Sequence, residues 1–122
     1  MSNTTSKILI IDDEEGIRES LKLILSDFYQ LIATENAEQG LDALAHTKDI
    51  GLVLLDVKMP KVNGLEALKA IKKVRPDLDV IMVTGYKSVE TASEATALGA
   101  SSYIVKPFKS DEILKTVKKF IK

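Results

Sequence analysis

Four short apolar runs constrain this chain more than any other feature: ILII at 8–11, LVLL at 52–55, VIMV at 80–83 and YIV at 103–105. A strand with one face in water alternates apolar and polar residues. Runs that are apolar at every position suit strands buried on both faces, the habit of parallel sheets covered by helices on both sides. QLIAT at 30–34 is a weaker, more polar fifth run and suits a sheet edge.

Helical spacing fills the gaps. Ile17, Leu21, Ile24, Leu25 and Phe28 form one stripe of a first helix. Asn36 is placed to cap a second, with Gln39 completing a capping box and Leu41, Leu44 and Ala45 facing inward. A third follows Gly64, turns Leu65, Leu68 and Ile71 inward, and stops before Pro76, whose ring disfavours helical geometry at Arg75. The fourth runs from about Ser88 to Leu98 and ends at Gly99, which adopts a left-handed turn cheaply; being rich in Ala and Thr, it should pack thinly. The fifth follows Ser110, with Asp111 and Glu112 in its first turn and Lys118, Lys119 and Lys122 near its end, matched to the helix dipole. Its inward stripe is Ile113, Leu114, Val117, Phe120 and Ile121. Strict strand–helix alternation with right-handed crossovers implies an open doubly wound α/β sheet, and 122 residues leave room for one core.

Composition excludes several functions. A net charge of −1 supplies no global field for nucleic acid, so no direct nucleic-acid binding is expected. No apolar run approaches the roughly 20 residues that cross a bilayer, so no membrane association is expected. The absence of cysteine removes disulfides, thiolate metal sites and cysteine nucleophiles. The polar leader MSNTTS, residues 1–6, is too short for a secretory signal; it reads as a flexible leader to a domain at 7–122, with the cytoplasm as the default location.

In open α/β sheets ligands bind at the carboxyl ends of the strands, where strand order reverses. Asp12 and Asp13 end the first strand, Asp56 the third and Thr84 the fourth, and Lys106 follows the fifth. Crowded carboxylates repel one another, and without compensation at least one would hold a proton. A hard divalent cation relieves that repulsion, and oxygen-only ligands suit Mg²⁺. Such an ion would also offset repulsion between Asp56 and an incoming phosphoryl group, with Lys106 neutralising one phosphoryl oxygen and Thr84 donating to another. These parts suit phosphoryl transfer, where positioning and charge neutralisation account for most of the catalysis.

The segments ILIIDDEEGIRESL, LVLLDVKMPKVNGLEAL, VIMVTGY and GASSYIVKPF resemble, in order and spacing, the response regulator receiver domains of two-component signalling. The TGYKSVETASEATALGASSYIVKPF stretch is similar to receivers of the nitrogen-regulation type. The resemblance runs from about Lys7 to Ile121 and implies a flavodoxin-like doubly wound (βα)5 three-layer sandwich, with a parallel five-stranded sheet ordered 2-1-3-4-5. It implies that Asp56 accepts a phosphoryl group from a sensor histidine kinase or phosphotransferase, or from a small donor such as acetyl phosphate. Asp13 and Asp56 would ligate Mg²⁺ directly with the backbone carbonyl of Lys58, and Asp12 mostly through water; Mn²⁺ or Ca²⁺ can substitute. Lys106 would pair with the phosphoryl group, Thr84 and Tyr103 would form the switch pair, and the bond before Pro107 would be cis. The fourth helix, fifth strand and fifth helix would present the output face to an effector protein or a C-terminal output domain.

Such a protein catalyses only its own aspartyl phosphorylation and dephosphorylation, and is no conventional turnover enzyme. Lys58 and Tyr86 occupy the positions that tune dephosphorylation in the family; neither can orient water, so both are expected to shield the phosphoryl group and lengthen its life. A phosphorylation-dependent dimer is a further implied partner, although Ser101 and Ser102 replace acids that often support it. His46 reads as a surface or helix-end residue, Phe108 as packing, and Met59 and Pro60 as shaping the acceptor loop.

Two other chemistries compete. A haloacid dehalogenase-type phosphatase also combines a nucleophilic Asp with Thr and Lys, but its nucleophile ends the first strand in a DxD pattern, whereas here DVK follows the third. A flavodoxin-like flavin binder needs a phosphate loop of Gly, Ser and Thr, and IDDEEG would repel that anion.

Overall fold

The computed structural model describes residues 6–56, 64–85 and 89–121. Strands β1 (Lys7–Ile11), β2 (Leu31–Thr34), β3 (Ile50–Leu55), β4 (Asp79–Thr84) and β5 (Ser102–Val105) alternate with helices α1 (Glu15–Leu25), α2 (Ala37–His46), α3 (Gly64–Val74), α4 (Val89–Ala97) and α5 (Ser110–Phe120). All pairings are parallel and the order is β2-β1-β3-β4-β5. This is the doubly wound sandwich expected, with the polar β2 at an edge.

Alternate residues of each strand feed two separate apolar layers. Leu9, Ile11, Val53, Leu55, Val80 and Met82 pack against α2, α3 and α4. Ile8, Ile10, Leu52, Leu54, Ile81 and Val83 pack against α1 and α5. β3 is buried at every position, which explains why its run shows no alternation. Each such side chain taken fully from water contributes roughly 1.5–3 kcal/mol.

Local signals set the helix ends. Asn36 Oδ1 accepts from the Gln39 amide at 2.8 Å, and Gln39 Oε1 accepts from the Glu35 amide at 3.0 Å. α3 stops at Val74, ahead of Pro76. Gly99 sits at φ +104°, a conformation open to glycine at little cost.

Two inward assignments are corrected. Phe28 is 60% exposed, because α1 ends at Leu25 and the helical register no longer carries over the following turn. Ala45 is also exposed; α2 instead turns Ala37, Gly40 and Leu44 inward. The reason is proximity: a Cβ at Gly40 would collide with the Ile11 side chain, so the helix presents its smallest residue to β1.

Candidate functional site

The order of strands reverses between β1 and β3. The chain leaves β1 for β2 on one side and resumes at β3 on the other, so α1 and α3 depart on opposite faces and leave a crevice beyond the strand ends. Asp12 and Asp56 are the first residues past those two strands. The Asp12 amide donates to Thr34 O at 3.1 Å and the Asp56 amide to Ile11 O at 3.0 Å, so the sheet ladder holds both backbones. Both residues are buried, while Asp13 and Glu14 are exposed.

Thr84, the last residue of β4, is fully buried, and its carbonyl accepts from the Lys106 amide at 2.8 Å. That bond carries Lys106 beyond the end of β5 toward the acids. Lys106 Nζ lies 2.8 Å from Glu14 Oε1, 3.0 Å from Asp12 Oδ2 and 3.5 Å from Asp56 Oδ2. Its side chain is only 11% exposed. The Lys106–Pro107 bond is cis.

The electrostatics follow from this crowding. Burial pushes the Asp12 carboxyl above its ordinary value, although the Glu14 amide and Lys106 pull the other way. Burial alone would lower the Lys106 ammonium, but its hydrogen bonds to Glu14 and Asp12 and the charges of Asp12 and Asp56 raise it overall. Burial, with the Asp56 charge second, also raises the Tyr103 phenol. Tyr103 is half-buried and pairs with Met82, two residues before Thr84, so Tyr103 and Thr84 share one face of the sheet.

Asp12, Asp13, Glu14 and Asp56 each offer a carboxylate oxygen, all within 4.8 Å of one another. Three of these acids, Asp12, Glu14 and Asp56, pair with the Lys106 ammonium. An oxygen-only set, half buried and half open to water, fits a hard cation that keeps part of its hydration, as Mg²⁺ does.

The structure therefore brings together Asp12, Asp13, Asp56 and Lys106, with Thr84 at the end of β4 and Tyr103 on the same face, two residues before the end of β5. Lys58 and Tyr86, and with them Met59 and Pro60, lie outside the described residues. Sequence reasoning missed two participants. Glu14 pairs with Lys106, and Arg18 donates to the Asp12 carbonyl at 2.8 Å. The available signal was position: Glu14 extends the acid pair, and Arg18 lies four residues on, one helical turn from it. His46 is exposed in the last turn of α2, its Nδ1 2.9 Å from Asp42 O. Phe108 packs into the α1–α5 layer.

Residues 8–118 match the family profile described as response regulator receiver domain. The chain is 39% identical over 116 residues to sporulation initiation phosphotransferase F of Bacillus subtilis, covering 94% of this chain and 93% of that one. It is similar to the Vibrio cholerae chemotaxis protein CheY4, with a TM-score of 0.90 at 28% identity, covering 96% and 99% of the two chains. It is also similar to NtrX from Brucella abortus, with a TM-score of 0.88 at 35% identity over 94% of this chain and 26% of the other. Several other curated relatives are much longer, and this chain spans 23%, 24% and 26% of three of them.

Proposed function

The chain belongs to the response regulator receiver domain family of two-component signalling, and from that premise we propose that Asp56 is the phosphoacceptor of its switch. The observation that carries the reading is a buried Asp56 at the switch point of the sheet, flanked by Asp12 and Lys106.

An Asp56 oxygen attacks phosphorus in a phosphohistidine on a partner kinase or phosphotransferase, or in acetyl phosphate. The new O–P bond forms as the donor's P–N or P–O bond breaks, and the electron pair leaves with the imidazole or acetate. Lys106 neutralises one phosphoryl oxygen and the Thr84 hydroxyl donates to another. Asp13 and Asp56, with the Lys58 carbonyl, would hold Mg²⁺ directly, and Asp12 would hold it through water. When bound, the ion offsets the repulsion between the acids and the phosphoryl group. Attack of water on phosphorus later restores the Asp56 carboxylate and releases phosphate.

Phosphorylation favours a second conformation only as far as its contacts differ between states. Thr84 and Tyr103 relay that preference to α4, β5 and α5, the face offered to an effector or an output domain. Among the described residues no helix is long and apolar enough to cross a membrane, and we place the switch in the cytoplasm.

The test is incubation with Mg²⁺ and acetyl phosphate, followed by intact mass. One phosphoryl increment is expected on the wild type and none on Asp56→Asn. Equal labelling of both moves the site elsewhere. No labelling of the wild type by acetyl phosphate or a phosphorylated kinase sinks the proposal.

A further inference from the structure

Glu14 occupies the position before α1 with extended backbone (φ −91°, ψ 115°), yet its side chain makes no hydrogen bond to cap that helix. It instead reaches across 92 positions of sequence to Lys106, the shortest of the three carboxylate contacts that ammonium makes among the described residues. Its backbone is pinned on both sides. The Glu14 amide donates to Asp12 Oδ1 at 2.9 Å, and its carbonyl accepts from the Arg18 amide at 3.1 Å. The two partners differ in freedom: Glu14 is 60% exposed and Lys106 only 11%. The carboxylate can turn into water at small cost, whereas the ammonium stays in the pocket whichever anion it faces.

We infer that Glu14 is a resting counterion of Lys106 that a phosphoryl group must displace, so that it sets the affinity of the pocket for that group. This inference rests on the proposed function. Lys106 cannot keep its shortest pair and also meet a phosphoryl oxygen on Asp56 at full strength, and the Glu14 charge repels the incoming anion besides. Both effects have one sign, so removing the Glu14 charge tightens anion binding. A merely structural role would loosen it.

The probe is beryllofluoride, a phosphoryl analogue, titrated at saturating Mg²⁺ and read by fluorine NMR on the wild type, Glu14→Gln and Glu15→Gln. The last removes an equal charge from the neighbouring residue, which makes no ion pair with Lys106 among the described residues. Glu14→Gln should bind about two- to fivefold tighter than the wild type, the coupling of a partly exposed ion pair, and Glu15→Gln should stay within about 1.5-fold of it. The gain should shrink as salt screens the exposed charge. Binding by Glu14→Gln that is equal to or weaker than wild type, or matched by Glu15→Gln, overturns the inference and leaves Asp56 as the acceptor. A wild type that takes up neither beryllofluoride nor a phosphoryl mass brings down both.

Discussion

Two helices flank β5 on opposite faces of the sheet, and they are attached very differently. α5 buries Ile113 and Val117 and packs Leu114 and Phe120, with Ile121 just beyond its end, into the α1 layer. α4 offers Thr91 and Ala95 as its buried side chains among those described. Among the described side chains α5 buries more apolar area than α4, and because apolar burial scales with area the α5 flank is expected to be the firmer. β5, between the two, delivers Lys106 to the acids. The difference teaches where a switch of the proposed kind would yield first: a helix with little described apolar burial is expected to open more readily than one that is well buried.

The strongest challenge to that contrast is truncation of each anchor. Ile113→Ala should cost about 2–5 kcal/mol in urea unfolding, and Thr91→Ala only about 1 kcal/mol. Equal losses would break the comparison.

Next is the Lys106 arm itself. Lys106→Met strands Asp12 and Asp56 without their cation and should cost about 3 kcal/mol in the absence of Mg²⁺. The folded pKa of Lys106 lies above its ordinary 10.5. Its contribution is therefore complete below pH 10.5 and is lost only as pH rises through the higher folded value. Denaturation at several pH values should find the wild-type advantage intact across neutrality.

Amide exchange sharpens the comparison directly. Amides of α4 should exchange about tenfold faster than those of α5, or 1.4 kcal/mol less protected, and phosphorylation should alter α4 more. Uniform protection across both helices would argue against a loose flank.

A smaller effect is expected at Asp12. Its folded pKa is raised above 3.8, so its ionised form opposes folding at neutral pH and the penalty fades as pH falls through the folded value toward 3.8. Asp12→Asn should be more stable than the wild type at pH 7 and lose that advantage below pH 3.8. The smallest is Tyr86→Ala, two residues after Thr84 in sequence. If Tyr86 shields the phosphoryl group, release of phosphate should quicken roughly threefold, a change of well under 1.4 kcal/mol in the barrier.

Much of this was legible beforehand, for reasons that can be named. The buried strands announced themselves because residues shielded on both faces need no polar positions, and Asn36, Pro76 and Gly99 mark helix ends through chemistry confined to a few neighbours. The acids at strand ends were legible because doubly wound sheets gather those ends at one edge. Phe28 and Ala45 misled because apolar spacing continues past the point where a helix ends or turns away. Glu14 and Arg18 escaped notice because a glutamate just before a helix and an arginine on its flank have ordinary local explanations.

What the sequence determined by itself was local: which segments become strands or helices, and that Asp12, Asp13, Asp56, Thr84 and Lys106 meet at one edge. The order of the strands came from resemblance to a family, since residue pattern alone does not set it. Only the tertiary structure decided which carboxylate Lys106 meets most closely, that Gly40 leaves room for Ile11, and that among the described side chains of α4 Thr91 and Ala95 are the buried ones. These depend on distances between segments remote in the chain, and no local periodicity encodes a distance.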